Sequence, residues 1–105
     1  MTSDIRDILK KLGLKDTGHY KDHFYIITLD DSDDYAKMYT TLDKNAVNTE
    51  YPEFTTNTNN STIKAINYFE LELNNYIYDL YLIADFDKDD YYLKIGERPE
   101  NDNRL

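Results

Sequence analysis

The sequence predicts an α+β domain: an N-terminal amphipathic helix packed on an antiparallel sheet of about five strands, a hairpin plus a three-stranded meander. Three observations predict it. Apolar residues recur at helical spacing over residues 5–12, and two alternating runs flank an Asn-Asn dipeptide in the second half. The register implied by that dipeptide gathers nearly every large apolar residue on one side. At 105 residues the chain suits one domain, 1–105, able to bury a core without disulfides or a metal.

Ser3 is placed to cap a helix whose Ile5, Ile8, Leu9 and Leu12 recur at i, i+3, i+4, i+7. Asp4 and Asp7 suit its first turn, Lys10 and Lys11 its last, and Gly13 is a natural stop. His23–Asp30 (HFYIITLD) reads as a strand, DDSDD as a polar turn, and Tyr35–Leu42 (YAKMYTTL) as the hairpin partner. Residues 43–61, rich in Asn and Thr and holding Pro52, read as a long connection that Tyr51 and Phe54 anchor to the body. The tail 97–105 reads as frayed.

Thr62–Ile95 is the most informative stretch. If Asn74-Asn75 forms a two-residue turn, Leu73 pairs with Tyr76, Leu71 with Tyr78, Phe69 with Leu80, Ala65 with Ala84 and Ile63 with Phe86. Asn67 opposite Leu82 is the polar exception on that face. A four-residue turn at Asp87–Asp90 extends the same face through Tyr91, Leu93 and Ile95. Ile63, Ile66, Phe69 and Leu73 also fit helical spacing, but the alternation in FELEL favours a strand.

The opposite face pairs Lys64 with Asp85, Ile66 with Ile83, Tyr68 with Tyr81, Glu70 with Asp79 and Glu72 with Ile77. Like charges directly opposite, as in Glu70 and Asp79, normally destabilise a sheet. Glu70 and Glu72 stand about 6.7 Å apart at strand rise, a spacing able to imitate the charge row of a nucleic-acid backbone. Tyr68 and Tyr81 supply rigid area with a polar tip, as binding surfaces favour. Two readings stand: a recognition face, or a second core covered by the hairpin or by residues 43–61.

Charge narrows the class of function. The chain has 12 Lys+Arg against 21 Asp+Glu, net −9. Residues 1–21 carry +2 and residues 22–105 carry −11. Such a body repels phosphate backbones, so direct nucleic-acid binding is disfavoured and a basic protein partner is expected. Two acidic clusters, Asp30/Asp31/Asp33/Asp34 and Asp87/Asp89/Asp90, form one negative edge if they meet at one end of the sheet. Ile, Lys, Asn and Tyr supply 39 of the 105 residues, the mark of an AT-rich gene from a low-GC bacterium or its phages.

Catalysis and cofactors are not expected. The chain has no Cys, two His and no Gly-rich phosphate loop, G-x-S-x-G or H-E-x-x-H motif. Glu70 and Asp79 could split their pKa values as acid/base pairs do, but the rest of an active site is missing. DFDKDD departs from a calcium loop: Asp90 stands where Gly is needed and Gly96 where a bidentate Glu is needed. No apolar run approaches a membrane span and the opening MTSDIRDILKKLG is no signal peptide, so a bacterial host cytoplasm is expected.

In length, acidity, lack of Cys and its carboxylate-plus-tyrosine pattern, the chain resembles the small phage and mobile-element inhibitors of nucleic-acid enzymes. These include anti-CRISPR, anti-restriction and uracil-DNA-glycosylase inhibitor proteins. The resemblance carries no motif, so no residue's role passes across. It implies a stoichiometric inhibitor occupying a basic channel of a defence nuclease through Glu70, Glu72, Asp79, Tyr68, Tyr81 and the two Asp clusters. An immunity protein facing a cognate toxin, or a structural or regulatory interaction domain, are the other classes. Oligomeric state stays open: Tyr35–Leu42 or Tyr91–Ile95, as edge strands, could pair with a copy, against which Lys37 and Lys94 stand.

Overall fold

Asn74 and Asn75 both adopt the left-handed backbone region, with φ of 53° and 67°, and join two long strands by a two-residue turn. These strands are β5 (Thr62–Leu73) and β6 (Tyr76–Asp85), in the computed structural model, which describes residues 3–49, 53–57, 62–86 and 88–96. Their register is the expected one from Lys64–Asp85 through Leu73–Tyr76. The helical alternative for residues 62–73 is thereby excluded. β7 (Asp90–Gly96) continues the meander on β6, pairing Ala84 with Tyr91 and Leu80 with Ile95. The connecting turn lies one residue earlier than expected, at residues 86–89. Phe86 therefore leaves the ladder and is 51% exposed instead of pairing with Ile63. Shifting both strand ends by one keeps Tyr91, Leu93 and Ile95 on the intended face.

The amphipathic helix is α1 (Ser3–Leu12), with Ile5, Ile8, Leu9 and Leu12 buried and Gly13 at φ 70° just beyond it. A second tight turn at Asp22-His23 (φ 51° and 70°) joins the short β1 (His19–Lys21) to β2 (Phe24–Leu29). The N-terminal hairpin is thus β1–β2.

The expected strand Tyr35–Leu42 is instead the middle of helix α2 (Ser32–Asn45). DDSDD is its N-terminus, not a turn. Asp31 is the N-cap, its carboxylate accepting from the Asp34 backbone N–H at 2.9 Å, and Asp33 and Asp34 meet the positive end of the helix. Tyr35, Met38, Tyr39 and Leu42 recur at i, i+3, i+4, i+7 and turn inward, which overrides the β propensity of Tyr and Thr. Nor are residues 43–61 one connection: they hold the end of α2 and the strands β3 (Asn48–Thr49) and β4 (Glu53–Asn57), both along the outer edge of β5. The anchoring expected of Tyr51 and the Phe54 side chain, and the tail 97–105, lie outside the described residues.

Among the described residues the sheet has seven strands, against the about five expected, in the order β1-β2-β7-β6-β5, followed by β3 and β4. All pairs are antiparallel. β7 is therefore internal, not an edge. Both helices lie on one face, where α1, Met38 and Leu42 meet a floor that includes Tyr25, Ile27, Phe69, Leu80, Leu82, Leu93 and Ile95. Asn67, expected as the polar exception there, is 3% exposed and donates its amide N–H to the Tyr35 hydroxyl of α2. The loop before β1 is tied down by Tyr25, whose hydroxyl accepts from Gly18 N–H at 2.9 Å and donates to Asp16. A Cβ at Gly18 would stand 2.3 Å from the Ile26 carbonyl oxygen.

Tyr35→Phe leaves the Asn67 amide buried without its acceptor, so urea unfolding should show a loss of about 1–3 kcal/mol. Adding Asn67→Leu should recover part of that loss, because both polar partners are then gone.

Candidate functional site

The other face of the sheet carries no helix, and no described element lies across it. Its side chains follow from the alternation of each strand. One row crosses five strands as His19, Ile26, Lys94, Tyr81 and Tyr68. A neighbouring row runs Thr28, Tyr92, Ile83 and Ile66. Of the elements nominated to hide this face, the described parts (β1, β2, α2, β3 and β4) do not lie across it; residues 50–52 and 58–61 lie outside the described residues.

Tyr68 and Tyr81 stack with ring centroids 5.2 Å apart, and Phe24 adds its edge to Tyr81 at 6.0 Å. Phe24 can reach Tyr81 because Gly96 lies between them in the sheet: the Phe24 ring comes within 3.6 Å of where a Gly96 Cβ would sit. The aromatic ring covers the glycine's bare backbone, a known way to protect a strand at such a position. The Lys94 ammonium sits 4.3 Å above the Phe24 ring. Around these cations the hairpin side of the face forms a shallow cleft of about 370 Å³, lined by His19, Lys21, Ile26, Tyr92, Lys94 and Asp90 among others.

The like-charge pair Glu70–Asp79 forms as expected, and each carboxylate has its own donor. Tyr68 donates its hydroxyl to Asp79, and the Asn48 amide donates to Glu70 at 2.6 Å. Both acids are half-buried, while Glu72 is exposed. The repulsion that singled out this pair in the sequence is offset locally, so Glu70 and Asp79 also serve the fold. Burial, first, and then the bond to Asp79 push the Tyr68 hydroxyl well above the ordinary tyrosine range. Burial and the Asp79 charge raise Tyr81 as well. Lys64 pairs with the buried Asp85 at 3.9 Å, and Asp85 also accepts from Lys88 N–H at 3.3 Å, tying down the β6–β7 turn.

The two acidic clusters meet. Because Leu29 of β2 pairs with Tyr91 of β7, Asp30 and Asp31 emerge at the end of the sheet where Asp89 and Asp90 enter it. Tyr91 registers both: its hydroxyl bonds Asp89 and feels the charge of Asp31, and these, with burial, raise its pKa. Asp33 is exposed in the first turn of α2 beside them, and Asp34 is half-buried. Asp87 lies outside the described residues. What the sequence reading missed is that half of this edge is a capped helix start. The D-S-D-D run ahead of an i, i+3, i+4, i+7 pattern was the signal for it.

Among the described residues no group of His, Asp and Glu is arranged to hold a metal ion, and no helix is long and apolar enough to cross a membrane. Comparison of the chain with protein-family profiles, curated proteins and solved structures gives no match.

The raised tyrosines set an alkaline limit. The folded state holds their protons at a pH where the unfolded chain, titrating near the ordinary 10.0, has begun to release them. Stability is thus fully present below about pH 10 and falls as pH rises beyond it. Asp79→Asn removes the accepting carboxylate, so absorbance titration should find Tyr68 ionising at lower pH and the alkaline loss of stability less steep.

Proposed function

We propose that the chain is a stoichiometric acidic inhibitor that binds a basic nucleic-acid-binding surface of a bacterial defence nuclease. The observation that carries this reading is the pairing of β2 with β7, which joins two acidic segments far apart in sequence into one acidic end. Of its carboxylates, Asp30, Asp31, Asp33, Asp89 and Asp90 are exposed, and Lys88 is the cation in the adjoining turn. Such a surface attracts the Arg and Lys that hold phosphates and speeds encounter with them.

Order adds to charge. Asp31 is fixed by capping α2, so this carboxylate is presented by an ordered element. Little conformational entropy is then lost on binding. The emphasis moves from the Glu70–Asp79 pair, whose oxygens are engaged within the sheet, towards the acidic end, with Glu72 as the exposed carboxylate of the open face. Binding of this kind needs no turnover and no cofactor.

The test is affinity capture from a low-GC bacterial lysate at low salt, followed by competition between the captured protein's nucleic acid and this chain. A nuclease released at high salt, and displaced from DNA by this chain, is the expected outcome. The triple substitution D30K/D33N/D90K should weaken that competition at least tenfold while leaving circular dichroism unchanged. Capture of a co-encoded toxin would move the partner to the immunity class. Competition unaltered by the triple substitution would remove the acidic end from the interface.

A further inference from the structure

We propose that the helix-free face of the sheet is the interface of a symmetric dimer, its occupant a second copy of this chain. The face is apolar along its middle, with Ile26, Tyr81, Tyr68, Tyr92 and Ile66 all half-buried and no described element over them. Its charges are sorted laterally. Lys21 of β1 and Lys94 of β7 stand on one side, and Asp79 of β6 with Glu70 and Glu72 of β5 on the other. The Lys64–Asp85 ion pair cancels within itself. Asp22, in the β1–β2 turn, and Asp90, at the start of β7, line the same cleft as the two lysines, Asp90 two side-chain levels along β7 from Lys94.

A face with opposite charges on its two sides is complementary to itself. A two-fold axis parallel to the strands, passing between β7 and β6, turns the lysine side of one copy onto the carboxylate side of the other. Interfaces of this kind are isologous: each contact is made twice. Lys94 then meets Tyr81 and Asp79 of the second copy, and Ile26 meets its Tyr68. Lys21 is directed toward the second copy's Glu70 and Glu72. Two sheets packed in this way stand about 10 Å apart.

Five strands about 4.8 Å apart and four side-chain levels about 6.8 Å apart give roughly 400–500 Å² per copy. The pair then buries about 800–1,000 Å², at the lower bound for specific association. A weak dimer is expected of an interface of that size. The inference does not rest on the acidic end, although Asp90 of that end also lines the cleft on this face.

Sedimentation equilibrium over a range of concentrations, at low and physiological salt, tests the proposal on the full chain. The wild type should dimerise, and the net charge of −9 on each copy makes the dimer tighter at physiological than at low salt. K21E/K94E makes both sides of the face acidic and E70K/E72K makes both basic, so each variant alone should be monomeric. Mixed in equal amounts they should form a heterodimer, because each altered side then faces its complement. Circular dichroism of each variant, and the heterodimer itself, show that both are folded. A wild type that stays monomeric at about 300 µM, a dimer that survives both charge reversals, or folded variants that fail to associate when mixed would overturn the proposal.

Discussion

The turn at Asn74-Asn75 is the constraint on which the rest depends. Two adjacent residues in the left-handed region admit one register for β5 and β6. A slip of one residue would exchange the faces of all twenty-odd flanking positions. The register assigns Phe69, Leu71, Leu80 and Leu82 to the helices and Tyr68, Glu70, Asp79 and Tyr81 to the open face. β7 extends this division, and β2 brings the N-terminal half into it.

The meander was legible because two independent signals agreed: side-chain alternation and a dipeptide suited to one turn. α1 was legible for the same reason, with caps, charges and spacing pointing one way. α2 was misread because Tyr and Thr favour strands on propensity, and that weak preference was weighed above the spacing of Tyr35, Met38, Tyr39 and Leu42. Asn67 stands out in the sequence, but its partner Tyr35 does not, because the strand propensity of residues 35–42 hides the helix that brings it there. The donors that settle Glu70 and Asp79 show the same limit. Tyr68 is the cross-strand diagonal neighbour of Asp79, whereas Asn48 comes from a strand paired across 22 residues of chain.

Polar groups thus divide into those that hold the fold and those left over. Asp31, Asp85, Asn67 and Tyr25 are engaged in caps, turns and core bonds. Asp30, Asp33, Asp90 and Glu72 are exposed, and their excess charge costs self-repulsion without an evident return in stability. That imbalance directs attention to the acidic end, just as the uncovered aromatic row directs it to the open face. The two proposed surfaces adjoin and share Glu72 and Asp90.

β7 lies between β2 and β6, although it is made after both. The meander β5–β6–β7 joins segments near in sequence, whereas β2 must find a strand more than sixty residues downstream. Loop-closure entropy opposes that late, non-local pairing. During synthesis α1, β2 and α2 therefore emerge with their apolar faces waiting, and their docking site is complete only once residue 96 has left the ribosome. Folding of the N-terminal half thus waits on the synthesis of β7.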